Sequence, residues 1–186
     1  NVNIKSASFI NGAEKEIFAK NMSIDSGAVT NAGILTATGD FLVNATTDFE
    51  NKGTIEVTFG NFSANVNNNF ANNSQITVTT GKLFVNPVVN FTNAGNILAV
   101  GFEVNATGIF TNEGTITSKD ISINSPTVIL AGTINAETNI SISGNLYIIG
   151  ESSISFGENF FVGTDENPKD IYISASQIRR FDLRNG

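Results

Sequence analysis

The chain is predicted to be all-β, a parallel β-helix (solenoid) with a period of 19–21 residues. Three observations carry the prediction. A seven-residue unit, Phe49-Glu-Asn51-Lys-Gly53-Thr-Ile55, returns at 70–76, 91–97 and 110–116, with its Phe residues 21, 21 and 19 positions apart. A second unit of the form apolar-x-apolar-Asn alternates with it. The composition is that of short strands and tight corners: 27 Asn, 22 Ile, 19 Thr, 17 Gly and 15 Phe among 186 residues. Ile, Val, Thr and Phe suit a pleated, half-buried surface, and Asn and Gly suit turns.

Taken in order, the first unit supplies a short strand, a Gly corner and a second short strand. Weaker copies extend it upstream to Val29, Asn31, Gly33 and Leu35, and Phe9 and Asn11 start an edge coil. Downstream the same places fall to Val128, Leu130, Gly132 and Ile134, then to Ile148, Gly150 and Ile154. The second unit ends at Asn44, Asn65, Asn86, Asn105 and Asn124, and continues through 140–143, 160–163 and 171–174. A third apolar place holds Ala37, Val57, Val78, Ala99, Ala136 and Phe156, with Ser118 as the exception.

No single period can bury its own apolar face. Stacking like residue on like, at about 4.8 Å per coil, solves this, and about eight to nine coils make a rod of roughly 40 Å. A leucine-rich repeat would need Leu-rich spacing and a helical segment per unit, and a propeller blade about 40 residues. Phe49, Ile55, Phe41 and Val43, with their equivalents in the other coils, become four inward columns. Each fully buried member contributes roughly 1.5–3 kcal/mol of transfer free energy.

Two Asn columns accompany them: Asn31, Asn51, Asn72, Asn93 and Asn112, and Asn44, Asn65, Asn86, Asn105 and Asn124. Both are read as structural ladders, with amides bonding from coil to coil and the Asn backbone taking left-handed corners. The competing reading is a row of ligand-binding amides. Gly33, Gly53, Gly95, Gly114 and Gly132 are expected at positive φ, with Ser74 and Ser152 as substitutions.

Composition also excludes functions. With no Cys and no His, the chain has no disulfides, no Cys-His zinc site, no thiol nucleophile and no His-dependent triad. A net charge of −7 argues against nucleic acid as a partner. No cofactor is expected, since the phosphate-loop pattern G-x-x-x-x-G-K-[ST] is absent. No apolar run approaches the roughly 18 residues of a membrane helix, so the chain is expected not to span a membrane. It begins at Asn1 without a leader-type segment, and is expected to be a mature piece of a longer chain.

The F-x-N-x-G-x-I unit followed by apolar-x-apolar-Asn resembles the filamentous-haemagglutinin repeats of large bacterial exoproteins, over about residues 27–163. These are the secreted partners of two-partner secretion systems: filamentous haemagglutinins, large adhesins and contact-dependent growth-inhibition effectors. The resemblance implies a right-handed parallel β-helix exported through an outer-membrane transporter and displayed as a fibre at the bacterial cell surface. It implies a target-cell receptor, protein or glycan, as partner, for host adhesion or for toxin delivery to neighbouring bacteria. The family's secretion domain carries an N-P-N-G-type motif; Asn86-Pro87 and Asn167-Pro168 lack its remainder, so the segment resembles the fibre body or a receptor-binding insert with helical repeats.

Within one β-helix segment, 1–186, the expected divisions are irregular first coils (1–26), regular repeats (27–163) and an irregular terminal coil (164–186) with a loop at 163–170. That loop, with Thr164, Asp165, Glu166, Asn167, Lys169 and Asp170, is the candidate contact. Its acids could hold calcium but lack a D-x-D-x-D-G pattern, and no metal site is assigned. Asn67-Asn68-Asn69 lengthens a corner, and Arg179, Arg180 and Arg184 cluster with Phe181 and Leu183 at a terminal edge. Seven N-x-S/T sequons occur, at Asn21, Asn44, Asn61, Asn72, Asn90, Asn105 and Asn139.

The expected function is a non-enzymatic shaft with an adhesive surface. The alternative is a carbohydrate-active β-helix, a polysaccharide lyase or tailspike-like chain. That chemistry needs clustered carboxylates or a cationic base, whereas Asp40, Asp48, Glu56, Glu103, Glu113 and Glu137 are scattered. An ice-binding array needs a continuous Thr row, and Thr77-Val-Thr79 and Thr115-Ile-Thr117 take different places relative to the Ile column.

Overall fold

The computed structural model describes residues 1–87 and 89–163. Alternation of apolar and polar residues, interrupted by Gly, Asn or Asp, yields strands of 3 to 16 residues, the longest running on through corners, and no helix among them. The strands are β1 (Val2–Asn11), β2 (Glu16–Ala19), β3 (Met22–Asn31), β4 (Ile34–Ala37), β5 (Phe41–Ala45) and β6 (Phe49–Asn51). There follow β7 (Thr54–Val57), β8 (Phe62–Val66), β9 (Asn69–Asn72), β10 (Gln75–Pro87), β11 (Asn90–Asn93) and β12 (Asn96–Asn105). The last are β13 (Ile109–Asn112), β14 (Thr115–Leu130), β15 (Thr133–Ile148), β16 (Ser153–Ser155) and β17 (Asn159–Gly163). Every pairing is parallel and joins a strand to its equivalent one coil on, so the chain is a β-solenoid of about eight coils.

Each coil has three faces. On the amide face, Phe41, Phe62, Leu83, Phe102, Ile121 and Ile140 stack inward, with Val43, Ala64, Val85, Val104, Ile123 and Ile142 beside them. On the Phe face, Phe49, Phe70, Phe91 and Phe110 stack with ring centroids 4.7, 5.2 and 4.9 Å apart and near-parallel planes. On the Ile face, Leu35, Ile55, Ile76, Ile97, Ile116 and Ile134 form the third wall. These columns and the Ala37–Val57–Val78 place merge into a single buried core. A further inward column, Ala45, Val66 and Pro87 on the amide face, has no counterpart in the repeat units as read from sequence.

Four features depart from the sequence reading. The repeating glycines are not at positive φ; among the described residues only Gly144, Gly150 and Glu14 are. Their requirement is space. A Cβ on Gly53 would lie 2.0 Å from the Gly33 carbonyl oxygen, and one on Gly114 2.0 Å from that of Gly95. Ser74 occupies this column, and the bond from Gln75 N–H to Gly53 O stretches to 3.3 Å, against 2.9 Å for Thr54 N–H to Gly33 O. The repeating asparagines likewise have negative φ, so their role is side-chain bonding and not left-handed corners.

The Phe column ends differently from its sequence reading as well. Between Asn124 and Thr127 the register slips, so Leu146 stacks on Val128, while Ile148 falls on Leu130 at the end of the Asn column. Phe156 is 37% exposed, not buried, and tilts against half-buried Phe160 at 5.4 Å. Residues 2–11 lie in register on 22–31, and the corner that follows, 12–15, has four residues, as does 149–152, against two in the equivalent corners between them.

Candidate functional site

The two Asn columns lie on opposite sides of the wall. Asn51 follows Phe49 by two residues and shares its inward parity; Asn44 follows Phe41 by three and points out. The inner ladder is buried, and each Nδ2 donates to the next coil's Oδ1 at 2.8 Å, from Asn11 through Asn31, Asn51, Asn72 and Asn93 to Asn112. The second amide hydrogen finds a backbone carbonyl, as in Asn51 to Gln75 O at 3.1 Å and Asn112 to Thr133 O at 3.0 Å. No buried side-chain polar atom among the described residues is left without a partner. The ladder stops at Leu130, where Asn112 Nδ2 turns to the backbone carbonyls of Gly114 and Thr133.

The outer ladder has the opposite polarity. Asn65 donates to Asn44 at 2.9 Å, Asn86 to Asn65 at 3.5 Å, Asn105 to Asn86 at 3.1 Å and Asn124 to Asn105 at 3.4 Å. Asn65, Asn86, Asn105 and Asn124 are exposed, so water competes for each of these bonds.

Two further columns, missed in the sequence reading, sit where the corners enter the amide and Phe faces. An Asp or Asn directly precedes inward Phe41, Phe49, Phe62, Phe70, Phe91, Ile121 and Ile140. Its side-chain oxygen accepts a backbone N–H from the next coil: Asp40 from Asn61, Asn61 from Lys82, Asp48 from Asn69, and Asn90 from Ile109. The signal was the recurring Asx-Phe or Asx-Ile pair. Asn68 and Asn69 also donate to Asp48, so the Asn67–Asn69 corner is tied to the coil before it. Sequon Asn72 is buried in the inner ladder, and Asn61 and Asn90 serve these corners.

The corners change length along the rod, and this makes a groove. Three residues, Thr79 to Gly81, separate Val78 from Lys82; in the next coil Val100 alone separates Ala99 from Gly101. Lys119 alone fills the corner after that, and two residues, 137 and 138, the following one. The short corners leave a groove of about 360 Å³ over buried Gly101, lined by Lys82, Val100, Glu103, Lys119, Asp120 and Asn139 among others. The Lys82 stem lies over Gly101, where a Cβ would meet its Cγ at 2.8 Å, and its Nζ lies 5.9 Å from the Phe84 ring centroid. Glu103 accepts from Asn105 at 3.4 Å, joining the groove to the outer ladder. Hydrogen bonds from Thr138 and then Asn139 hold the Asp120 carboxyl below its ordinary value, and the Lys119 charge adds to them against a small desolvation. The sequence signal was the drop in Asn spacing from 21 (Asn65 to Asn86) to 19 (Asn86 to Asn105).

The loop residues Thr164, Asp165, Glu166, Asn167, Lys169 and Asp170 and the Arg179–Arg184 cluster lie outside the described residues. Glu56 stands on the Ile face and Glu103 on the amide face, so the structure does not bring these two acids together. Among the described residues no group of three or more acids could hold a metal ion, and no helix is long and apolar enough to cross a membrane. Comparison with protein-family models, curated proteins and solved structures finds no match.

Proposed function

We propose that the chain is a non-enzymatic shaft segment of a large secreted surface protein and that its outer amide face makes the contacts. The observation that carries this reading is the division of polar chemistry between the two sides of the wall. Inside, the donors and acceptors of the buried ladder are used in holding coil to coil. Outside, an exposed amide row and a groove are set on a rigid parallel sheet. A scaffold with a saturated interior presents a surface at fixed spacing, which is what an adhesive fibre requires. The repeat's resemblance to filamentous-haemagglutinin exoproteins supports the same reading, with export through an outer-membrane transporter and display at the bacterial surface.

The test is adhesion by the chain alone. Beads coated with residues 1–186 should bind target cells, host epithelial or bacterial, at least tenfold above beads coated with an unrelated β-protein. Binding at the background level to both cell types, or depolymerisation of a polysaccharide by the purified chain, overturns the proposal.

A further inference from the structure

The Gly101 groove has the features of a saccharide-binding site, and we propose that it takes one uncharged pyranose unit of a surface glycan; this rests on the adhesive reading above. Its size, about 360 Å³, is within the range of small-ligand pockets, roughly 300–1,000 Å³. It is built on strands and short corners, so its walls are fixed by the coil-to-coil pairing.

The chemistry suits a polyhydroxylated ring. Such a ring needs donors and acceptors close together, beside a surface for its C–H face. Lys82, Lys119 and Asn139 bring donors; Glu103 and Asp120 bring acceptors; Ser122 can act as either. Exposed Val100 gives the groove apolar surface, and the half-buried Phe84 ring, one coil from Glu103 in the same outward column and 5.9 Å from the Lys82 Nζ, extends it beside the lining. The lining carries two ammonium groups and two carboxylates, so the groove has no net charge to attract an ion. The chain's net charge of −7 repels a polyanion. An uncharged sugar is therefore favoured over a uronate or a sulfated unit. The outer ladder, tied to the groove through Asn105 and Glu103, continues the polar surface along the rod for neighbouring units of the same glycan.

The experiment presents the purified chain to immobilised oligosaccharides of four series: neutral hexose, N-acetylhexosamine, uronate and sulfated. Binding to at least one of the two uncharged series is expected. Gly101→Leu fills the floor, Ser122→Leu fills the groove from an exposed position on the next coil, and Phe84→Ala removes the ring; each should weaken binding at least tenfold. Glu56→Gln, exposed on the Ile face away from the groove and the outer ladder, should leave it unchanged. Circular dichroism of each variant shows whether the fold is kept, and Ser122→Leu keeps the test open should Gly101→Leu misfold. No binding to the uncharged series, tighter binding to the charged ones, or binding undiminished in folded Ser122→Leu and Phe84→Ala overturns the proposal. Beads that adhere to cells while uncharged glycans fail to bind reject the groove and keep the adhesive reading. Beads that fail to adhere while glycan binding depends on the groove reject the adhesive reading alone.

Discussion

At the scale of the residue, asparagine has two roles separated by one position of strand parity. Asn72 donates to Asn93 and accepts from Asn51 with both bonds buried, whereas Asn86 makes its bonds in water. Asn72→Leu leaves the Asn93 oxygen without a donor and one Asn51 hydrogen without an acceptor, and should cost at least about 2 kcal/mol. Asn86→Ala should stay within about 0.5 kcal/mol. Asn112→Leu should fall between them, because Leu130 already ends the ladder above it and Asn93 Nδ2 keeps Gly95 O and Thr115 O. Chemical denaturation of the three variants checks the order. That these asparagines stack was legible from the spacing alone. That one column is internal is also present in the sequence, since Phe49 and Asn51 share parity and Phe41 and Asn44 do not. The glycines depart from the positive φ expected of them for a physical reason. Positive φ is the common cause of a conserved-looking corner glycine in a single turn, whereas here the limiting contact is the carbonyl of the preceding coil, one period away in sequence.

At the scale of the element, strand placement followed from alternation wherever a Phe or Ile stood at each inward position. It failed near the carboxyl end, where 144 alone faces the two residues 125 and 126 and shifts Leu146 into the Phe column. Corner length is set by residues that make no repeating apolar pattern, so periodicity locates corners poorly. The Asp120 corner gives a measurable consequence. Its carboxyl is held low chiefly by Thr138, so Thr138→Val should raise the Asp120 pKa toward its ordinary value. The sign follows from the direction of the shift: a lowered folded-state pKa stabilises the fold above the ordinary carboxylate range, and that contribution is lost as pH falls through the folded value. Asp120 is exposed, so the effect on stability is small and the readout is its own titration by carboxyl-carbon NMR. A titration unchanged in Thr138→Val would remove the proposed tie between the two corners.

At the scale of the whole molecule, every coil between the two end coils of the described residues is held by two neighbours, and the unusual composition becomes positional. Phe and Ile fill the interior, inner Asn locks coil to coil, and Asp and Asn tie the corners. Ser, Thr and the outer Asn cover the outside. The solenoid was legible from the repeat because stacking is the only way so short a period can bury its apolar residues. The groove was not, because it arises from the mismatch between corners of successive coils, a three-dimensional difference that appears in sequence only as a two-residue change of period. The central claim is that polar chemistry is saturated inside the wall and available outside it. Side-chain amide hydrogen exchange, followed by NMR on the intact chain, tests it most directly. The Nδ2 hydrogens of Asn31, Asn51, Asn72 and Asn93 should exchange at least a hundredfold more slowly than those of Asn65, Asn86, Asn105 and Asn124. Equal and rapid exchange in both sets would contradict the account.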